Sequence, residues 1–308
     1  MDQPNVIVIC SPTASGKTDL SIELAKKIQG EIVSADSMQI YTGMDIGTAK
    51  VTQEEKQGIC HYMIDIVQPN ERFSVAQYKT EAQKAIETIL KKGKRPIVVG
   101  GTGLYINSLI YNICYPSFEL DSRYREQLEK KVENEGLEKL YEQASKIDPQ
   151  AIEKISRQDK KRILRVLELY HQTGKTKTEL EIESRKIKPP YYYQVYGIKW
   201  EREILYERIN QRVDNMIQQG LIEEVQSILN KYQGFPTAMQ GLGYKEVVSY
   251  LQGNFTKEEM IEQIKKQTRH YAKRQMTWFR AIEQMIWLPG QNGTKKNVQT
   301  ILEGQNIG

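Results

Sequence analysis

Cysteine and histidine are scarce in this chain of 308 residues, with three of each. Cys10, Cys60 and Cys114 lie far apart, as do His61, His171 and His270, and neither Cys-x-x-Cys nor His-Glu-x-x-His occurs. The common zinc sites and disulfide frameworks are excluded, and the cysteine usage fits a reducing cytoplasm. Long apolar runs are missing as well. Uninterrupted ones reach only about five residues, as in Val6 to Cys10, so no segment reads as a membrane span. Met1-Asp2-Gln3 has none of the basic character that opens a signal peptide. With 21 Gly and 10 Pro the chain has too few breakers to be disordered, and 39% hydrophobic residues can bury a sizeable core. An excess of one charge is lacking too. The 44 basic and 39 acidic residues leave a net +5, so any polyanion partner must be argued from where the charges sit.

What is present is an alternation of strands and helices. Asn5 to Cys10 is a β-branched apolar run followed by a loop and a helical pattern from Asp19 to Ile28. Glu31 to Ser34 and Tyr62 to Ile66 are short strand patterns, Ser74 to Leu90 is an amphipathic helix, and Arg95 to Val99 is a further strand. Such alternation predicts a parallel α/β sheet. Between Glu119 and Lys188 the pattern is helical and densely charged, with 17 basic and 15 acidic residues, and Pro189-Pro190 closes it. Tyr191 to Trp200 then alternates like a strand returning to the sheet. Helical patterns follow at Glu203–Gln218, Leu221–Lys231 and Thr256–Arg280, and a short strand near Met285–Leu288. The expected architecture is a P-loop NTPase-like parallel-sheet core, 1–114 with 191–308, and an inserted all-helical domain, 115–190.

Ser11-Pro12-Thr13-Ala14-Ser15-Gly16-Lys17-Thr18 nearly fits G-x-x-x-x-G-K-[ST], with Ser11 where the pattern has Gly. Backbone N–H groups of such a loop, with the positive end of the following helix, enclose phosphate oxygens. Lys17 would reach the terminal phosphates and the Thr18 hydroxyl would ligate Mg²⁺. The plainer alternative is a strand–helix turn that happens to contain Gly-Lys-Thr, but the preceding apolar strand and following helix favour phosphate. The strand ending Ile97-Val98-Val99-Gly100-Gly101 lacks the acidic residue that an NTPase places there for Mg²⁺, which counts against nucleotide hydrolysis.

Four more segments stand in order with this loop: Asp36-Ser37-Met38-Gln39-Ile40-Tyr41, Asp45-Ile46-Gly47-Thr48-Ala49-Lys50, Gly100-Gly101-Thr102-Gly103-Leu104-Tyr105 and Lys273-Arg274-Gln275-Met276-Thr277-Trp278-Phe279-Arg280. Together they resemble the bacterial tRNA dimethylallyltransferases (tRNA isopentenyltransferases), and the resemblance runs from residue 6 to about residue 290. It implies transfer of a dimethylallyl group from dimethylallyl diphosphate to N6 of adenosine 37 in tRNAs reading codons that begin with U. Diphosphate is released. The loop would then hold the donor's diphosphate with Mg²⁺, which agrees with the missing acid.

The resemblance also implies site roles. Asp36 would take the proton of the attacking amine; taken alone, it would pass as a turn or N-cap residue. Ser37, Met38 and Gln39 would contact the adenosine, and Thr102 the acceptor near the reaction centre. Gln240 completes the catalytic set, at a position where some relatives have an active-site arginine, with Lys245 as the nearby positive charge. Arg125, the segment Lys161-Arg162-Ile163-Leu164-Arg165, and Arg274 to Phe279 would contact tRNA. His61 and Asp65 read as structural.

Between Lys265 and Arg280 there are six basic residues and no acid. At about 100° per residue, Lys265, Lys266, Arg269, Lys273 and Arg280 share one arc, Arg274 falls outside it, and Tyr271, Trp278 and Phe279 fall on the apolar side. The basic arc suggests a polyanion; the aromatics read as core. The expected partners are therefore the tRNA anticodon loop and dimethylallyl diphosphate, for a cytoplasmic monomer. An AMP isopentenyltransferase, a P-loop small-molecule kinase and a non-catalytic RNA-binding module are the alternatives. The kinase has no use for the basic helix, the AMP enzyme would not need an RNA-binding insert, and the phosphate loop and Asp36 argue against the third.

Overall fold

The structure, a computed structural model, describes residues 3–115 and 121–305, so positions 116–120 of the expected insert lie outside the described residues. The chain divides into two compact units, 1–110 with 190–308, and 111–189.

The first unit opens with β1 (Asn5–Cys10), α1 (Lys17–Ile28), β2 (Gly30–Ser34), α2 (Gln53–Lys56), β3 (His61–Tyr62), α3 (Val75–Lys91), β4 (Arg95–Gly100) and α4 (Gly103–Ile110). The second unit holds α5 (Ser122–Glu135), α6 (Leu137–Ile147), α7 (Pro149–Glu153), α8 (Lys160–Thr173) and α9 (Lys177–Arg185). The chain then returns to the first unit through β5 (Tyr192–Lys199), α10 (Arg202–Gln218), α11 (Leu221–Lys231), α12 (Tyr244–Leu251), α13 (Lys257–Arg280), β6 (Met285–Pro289) and α14 (Gly293–Gln305).

All six strands are parallel, in the order β3-β2-β4-β1-β5-β6. The near-continuous apolar strands fit this arrangement, because parallel strands are covered on both faces. Ile7 and Ile9 of β1, Ile97 and Val99 of β4 and Ile32 of β2 pack against Leu20 and Leu24 of α1 and Ile301 of α14. With every strand running the same way, the loops after β1, β2 and β4 emerge together at the carboxyl ends, where open α/β sheets bind ligands.

One strand is shorter than its pattern. The alternation at Tyr62–Ile66 predicts five residues, but β3 stops at Tyr62 because Met63 and Asp65 adopt φ of 63° and 56°. Left-handed residues cannot continue a ladder. α3 begins where Ser74 and Gln77 form a capping box, with Gln77 N donating to Ser74 Oγ at 3.2 Å and Ser74 N to Gln77 Oε1 at 2.8 Å. Its Tyr78 stacks on Tyr105 of α4 at 3.8 Å and donates from its hydroxyl to the Ser34 carbonyl at 3.2 Å. Two helices are thus fastened to the end of β2.

The second unit is helical throughout its described residues, around Leu128, Leu140, Ala144, Ile152, Ile163, Leu164 and Leu167. Buried Asp148 accepts from Ala151 N at 3.0 Å, Thr178 N at 2.9 Å and Thr178 Oγ1 at 2.6 Å, joining α7 to α9. Buried Glu168 accepts from Arg125 at 3.0 Å, so that arginine is committed to an ion pair that also includes Glu129. Ile163 and Leu164 correct the expected tRNA contacts: both are wholly buried, because α8 turns this apolar side into its own core. Lys161 and Arg162 are exposed and Arg165 half-buried on the same helix.

Candidate active site

A cavity of about 330 Å³ opens in the first unit at the carboxyl ends of the strands, lined by Lys17, Thr18, Asp36, Gln39, Arg212 and Arg274 among others. Its floor begins with the loop after β1. Ser11, the departure from the glycine pattern, is accommodated because its hydroxyl accepts from Ile198 N at 2.6 Å and locks the end of β1 to β5. Ala14 and Gly16 take the left-handed turns, with φ of 61° and 90°. Arg208 Nε donates to the Ala14 carbonyl at 2.7 Å and Trp200 Nε1 to the Ser15 carbonyl at 2.9 Å. These side chains satisfy loop carbonyls, and α1 starts at Lys17 with its amino-terminal N–H groups unpaired within the helix.

Asp36 follows β2. Its Oδ1 accepts from Met38 N at 2.9 Å, a local turn, and among the described residues Oδ2 has no hydrogen bond. One oxygen of the side chain makes the turn, and the other is left open. Across from it, Thr102 Oγ1 accepts from Ser37 N at 2.9 Å and lies 3.2 Å from Ser37 Oγ. The two loops touch main chain to main chain. Thr102 N donates to the Ala35 carbonyl at 3.1 Å, and a Cβ at Gly100 would lie 2.1 Å from that same oxygen.

Two cations and one carboxylate face one another. Burial pulls the Lys17 ammonium down to about 8, Arg212 pushes the same way, and Asp36 opposes both. Lys17 keeps some exposed surface, but its surroundings are dense enough for desolvation to dominate. Burial likewise lowers Arg212, again against Asp36. The Arg212 guanidinium donates to the Thr48 carbonyl at 3.3 Å, and its Nε has no partner among the described residues. A half-buried guanidinium with an unpartnered Nε, beside a lysine, suits an anion.

Arg212 brings an arginine charge to the cavity lining, where Gln240 is neutral. Gln240 and Lys245 both line the cavity but are exposed, and Lys245 sits 3.5 Å from Glu246. The signal for Arg212 lies in the helix pattern. Leu205, Ile209, Val213 and Met216 form the buried stripe of α10, and Arg212 follows Ile209 by three residues on that stripe.

Matches to known proteins agree with this geometry. The IPP transferase family model matches residues 39–282. A tRNA dimethylallyltransferase of Acetivibrio thermocellus is 53% identical over 285 residues, 92% of this chain and 91% of the relative. The chain belongs to the IPP transferase family. A solved tRNA isopentenylpyrophosphate transferase from Staphylococcus epidermidis, 42% identical, superposes with a TM-score of 0.73 over 99% of this chain and 100% of that one. A eukaryotic dimethylallyltransferase acting on tRNA, 31% identical, gives 0.81 over 93% and 74%.

In this IPP transferase, the residues expected at the donor and acceptor sides gather in the first unit. Thr13, Lys17, Thr18, Asp36, Ser37, Met38, Gln39, Gln240, Arg274 and Gln275 all line the cavity. Two of them are occupied by other tasks. The Gln39 amide donates to the Thr48 and Ala49 carbonyls at 3.3 Å each, so its N–H groups are already engaged and pairing with an adenine edge would disturb them. Gln275 corrects the expected tRNA contact: it is buried, accepting from Thr13 N at 3.0 Å and donating to the Gly101 carbonyl at 2.8 Å. Phe279 is corrected likewise, being wholly buried. Met276 is partly covered, while Thr277 is exposed.

Trp278 departs from its expected place on the helix in the other direction. It is 42% exposed, and the part that is covered packs its Cβ and ring atoms close against Gly103 of α4. The basic arc is also partly engaged: Lys265 pairs with Asp214 at 2.8 Å and Arg269 bonds Asn210 at 2.6 Å. Lys266, Lys273, Arg274 and Arg280 remain exposed. Asp65 is structural, pairing with Lys50 at 2.6 Å, whereas His61 lines the cavity. No described helix is long and apolar enough to cross a membrane.

Proposed function

We propose that this enzyme transfers the dimethylallyl group from dimethylallyl diphosphate to N6 of adenosine 37, in the anticodon loop of tRNAs reading codons that begin with U. The reading rests on one juxtaposition: a phosphate loop with Lys17 and Arg212, and the free carboxylate oxygen of Asp36, share a single cavity. The cations would take up negative charge as diphosphate leaves. Asp36 would accept the amine proton as N6 attacks C1 of the prenyl group, and Thr102 would hold Ser37 and the acceptor-side loop in place.

Mg²⁺ is part of the proposal, held by the Thr18 hydroxyl. Among the described residues no group of three or more carboxylate, His or Cys ligands exists, and Thr18 lines the cavity beside Lys17. One hydroxyl suits a Mg²⁺ whose remaining ligands are diphosphate oxygens and water. When bound it would neutralise leaving-group charge. We assign the tRNA contact to Ser37, Met38, Thr102, the exposed cations of α13 with Thr277 and Trp278, and Lys161, Arg162 and Arg165 of the helical unit. The protein would act in the cytoplasm as a monomer.

The test offers dimethylallyl diphosphate with unmodified tRNA, AMP or DNA and detects the prenylated adenosine by mass. Product on tRNA alone is the expected outcome. Product on AMP would favour the free-nucleotide enzyme, and ATP-dependent phosphorylation without prenyl transfer a kinase.

A further inference from the structure

Gly47, Thr48 and Ala49, in a turn at residues 45–49, form part of the cavity wall. The turn carries no regular secondary structure of its own; Gln39 holds its Thr48 and Ala49 carbonyls, and a single carboxylate from another helix holds its amides. Glu224, on α11, accepts from Asp45 N at 2.8 Å, Ile46 N at 2.7 Å and Gly47 N at 3.1 Å. The Tyr244 hydroxyl of α12 donates to the same group at 2.6 Å. The Tyr244 ring presses on the turn so closely that a Cβ at Gly47 would lie 2.5 Å from it. Four donors on one carboxylate, three of them consecutive main-chain amides, form an arrangement that only a fully charged two-oxygen acceptor satisfies.

The turn gripped in this way presents its next carbonyl, that of Thr48, to the guanidinium of Arg212 at 3.3 Å. The Nε of the same guanidinium is left without a partner among the described residues. The position of the arginine therefore depends on a main-chain oxygen one residue beyond the amides that Glu224 holds.

We propose that Glu224 is a positioning residue for the donor site: through the 45–48 main chain it aims Arg212 at the diphosphate. This rests on the reading that Arg212 binds that diphosphate. Glu224 itself does not line the cavity and touches no substrate. It acts by removing the freedom of the turn before the donor arrives, so that ordering the turn does not weaken binding.

The experiment is a double-mutant cycle on the full chain with inorganic diphosphate as the probe, read by calorimetry, together with KM for donor and for tRNA. Glu224→Gln replaces one accepting oxygen by an amide that faces main-chain N–H groups. It should weaken diphosphate binding roughly tenfold and raise the donor KM in step, as loss of a charge-assisted hydrogen bond implies. The tRNA KM should stay near wild type. Tyr244→Phe, which removes one donor of four, and Glu224→Asp, which keeps the charge, should fall between, and serve if the glutamine variant does not fold. In an Arg212→Lys background the Glu224→Gln change should have little further effect, since its route is already cut. A lowered melting temperature with unchanged diphosphate affinity would overturn the proposal, as would fully additive losses. If Arg212→Lys alone leaves diphosphate binding intact, the donor-site reading has failed instead.

Discussion

Gln275 and Thr13 are joined by a hydrogen bond of 3.0 Å from the loop amide to the side-chain oxygen, although 262 residues separate them. The same side-chain amide reaches the Gly101 carbonyl, and a Cβ at Gly101 would lie 2.4 Å from Gln275 Nε2. One side chain of α13 therefore ties the loop after β1 to the loop after β4. Gln275→Ala orphans a donor and an acceptor, at about 1–3 kcal/mol each. We expect a lower melting temperature and slower single-turnover transfer, with tRNA affinity unchanged because the side chain is buried. A fall in tRNA affinity matching the fall in rate would make Gln275 a direct tRNA contact after all.

Asp36→Asn preserves the turn, since an amide oxygen also accepts from Met38 N. It cannot accept the proton. Single-turnover transfer at saturating donor and tRNA should fall about 10²–10⁴-fold, the usual worth of a general base, while both affinities hold. Near wild-type chemistry in this variant would leave Asp36 a turn residue.

Lys17 sets a pH dependence. With its ammonium at about 8, it is charged below that pH and is neutralised as the pH rises through it. Diphosphate affinity should be full on the acid side and decline above. Bound diphosphate restores the proton, so binding above about pH 8 should take one up, which calorimetry in buffers of different ionisation heat reads directly. For folding the sign is opposite: the depressed lysine is a penalty below about pH 8 that is relieved as the pH climbs towards the unfolded value. Lys17→Ala should abolish the proton uptake and most of the affinity.

Arg212 and Gln240 can be separated by substitution. Arg212→Ala should raise the donor KM by about tenfold or more, because it removes a guanidinium charge from the proposed anion site. Gln240→Ala should change it little. The reverse ranking would restore Gln240 to the role held by arginine in some relatives.

Salt should report which cations of α13 meet RNA. Charge reversal of Lys266, Lys273 and Arg280 is expected to flatten the dependence of tRNA affinity on salt, by close to about one unit of slope for each phosphate no longer neutralised. Reversing Lys265, already paired with Asp214, should cost stability more than slope. An unaltered slope in the triple variant would make the face merely solvated.

Strand–helix alternation and the five ordered motifs make the parallel sheet, the phosphate loop and Asp36 legible, because local pattern dictates them. What stays hidden depends on distant partners. No local rule distinguishes an exposed Gln275 from one inserted between two loops, and Gln39 reads as a free amide until the Thr48 and Ala49 carbonyls fold back on it. Helical periodicity puts Trp278 in the core, since the amount of the indole that neighbouring helices cover is not written in its own helix. Arg212 escapes notice because a cation on an apolar stripe looks like an interruption until an anion site explains it.

The contact of Gly100 with the Ala35 carbonyl bears on how this enzyme could be redesigned. A methyl group there has nowhere to go, so the interval between Asp36 and Thr102 belongs to the peptide backbone and is beyond the reach of side-chain libraries. Randomising positions 37, 38, 240, 242 and 245, whose side chains line the cavity, would alter what fills it while the frame stays put. New acceptor preferences are therefore open to directed evolution at those positions, whereas the spacing of Asp36 and Thr102 comes with the sheet and is inherited whole.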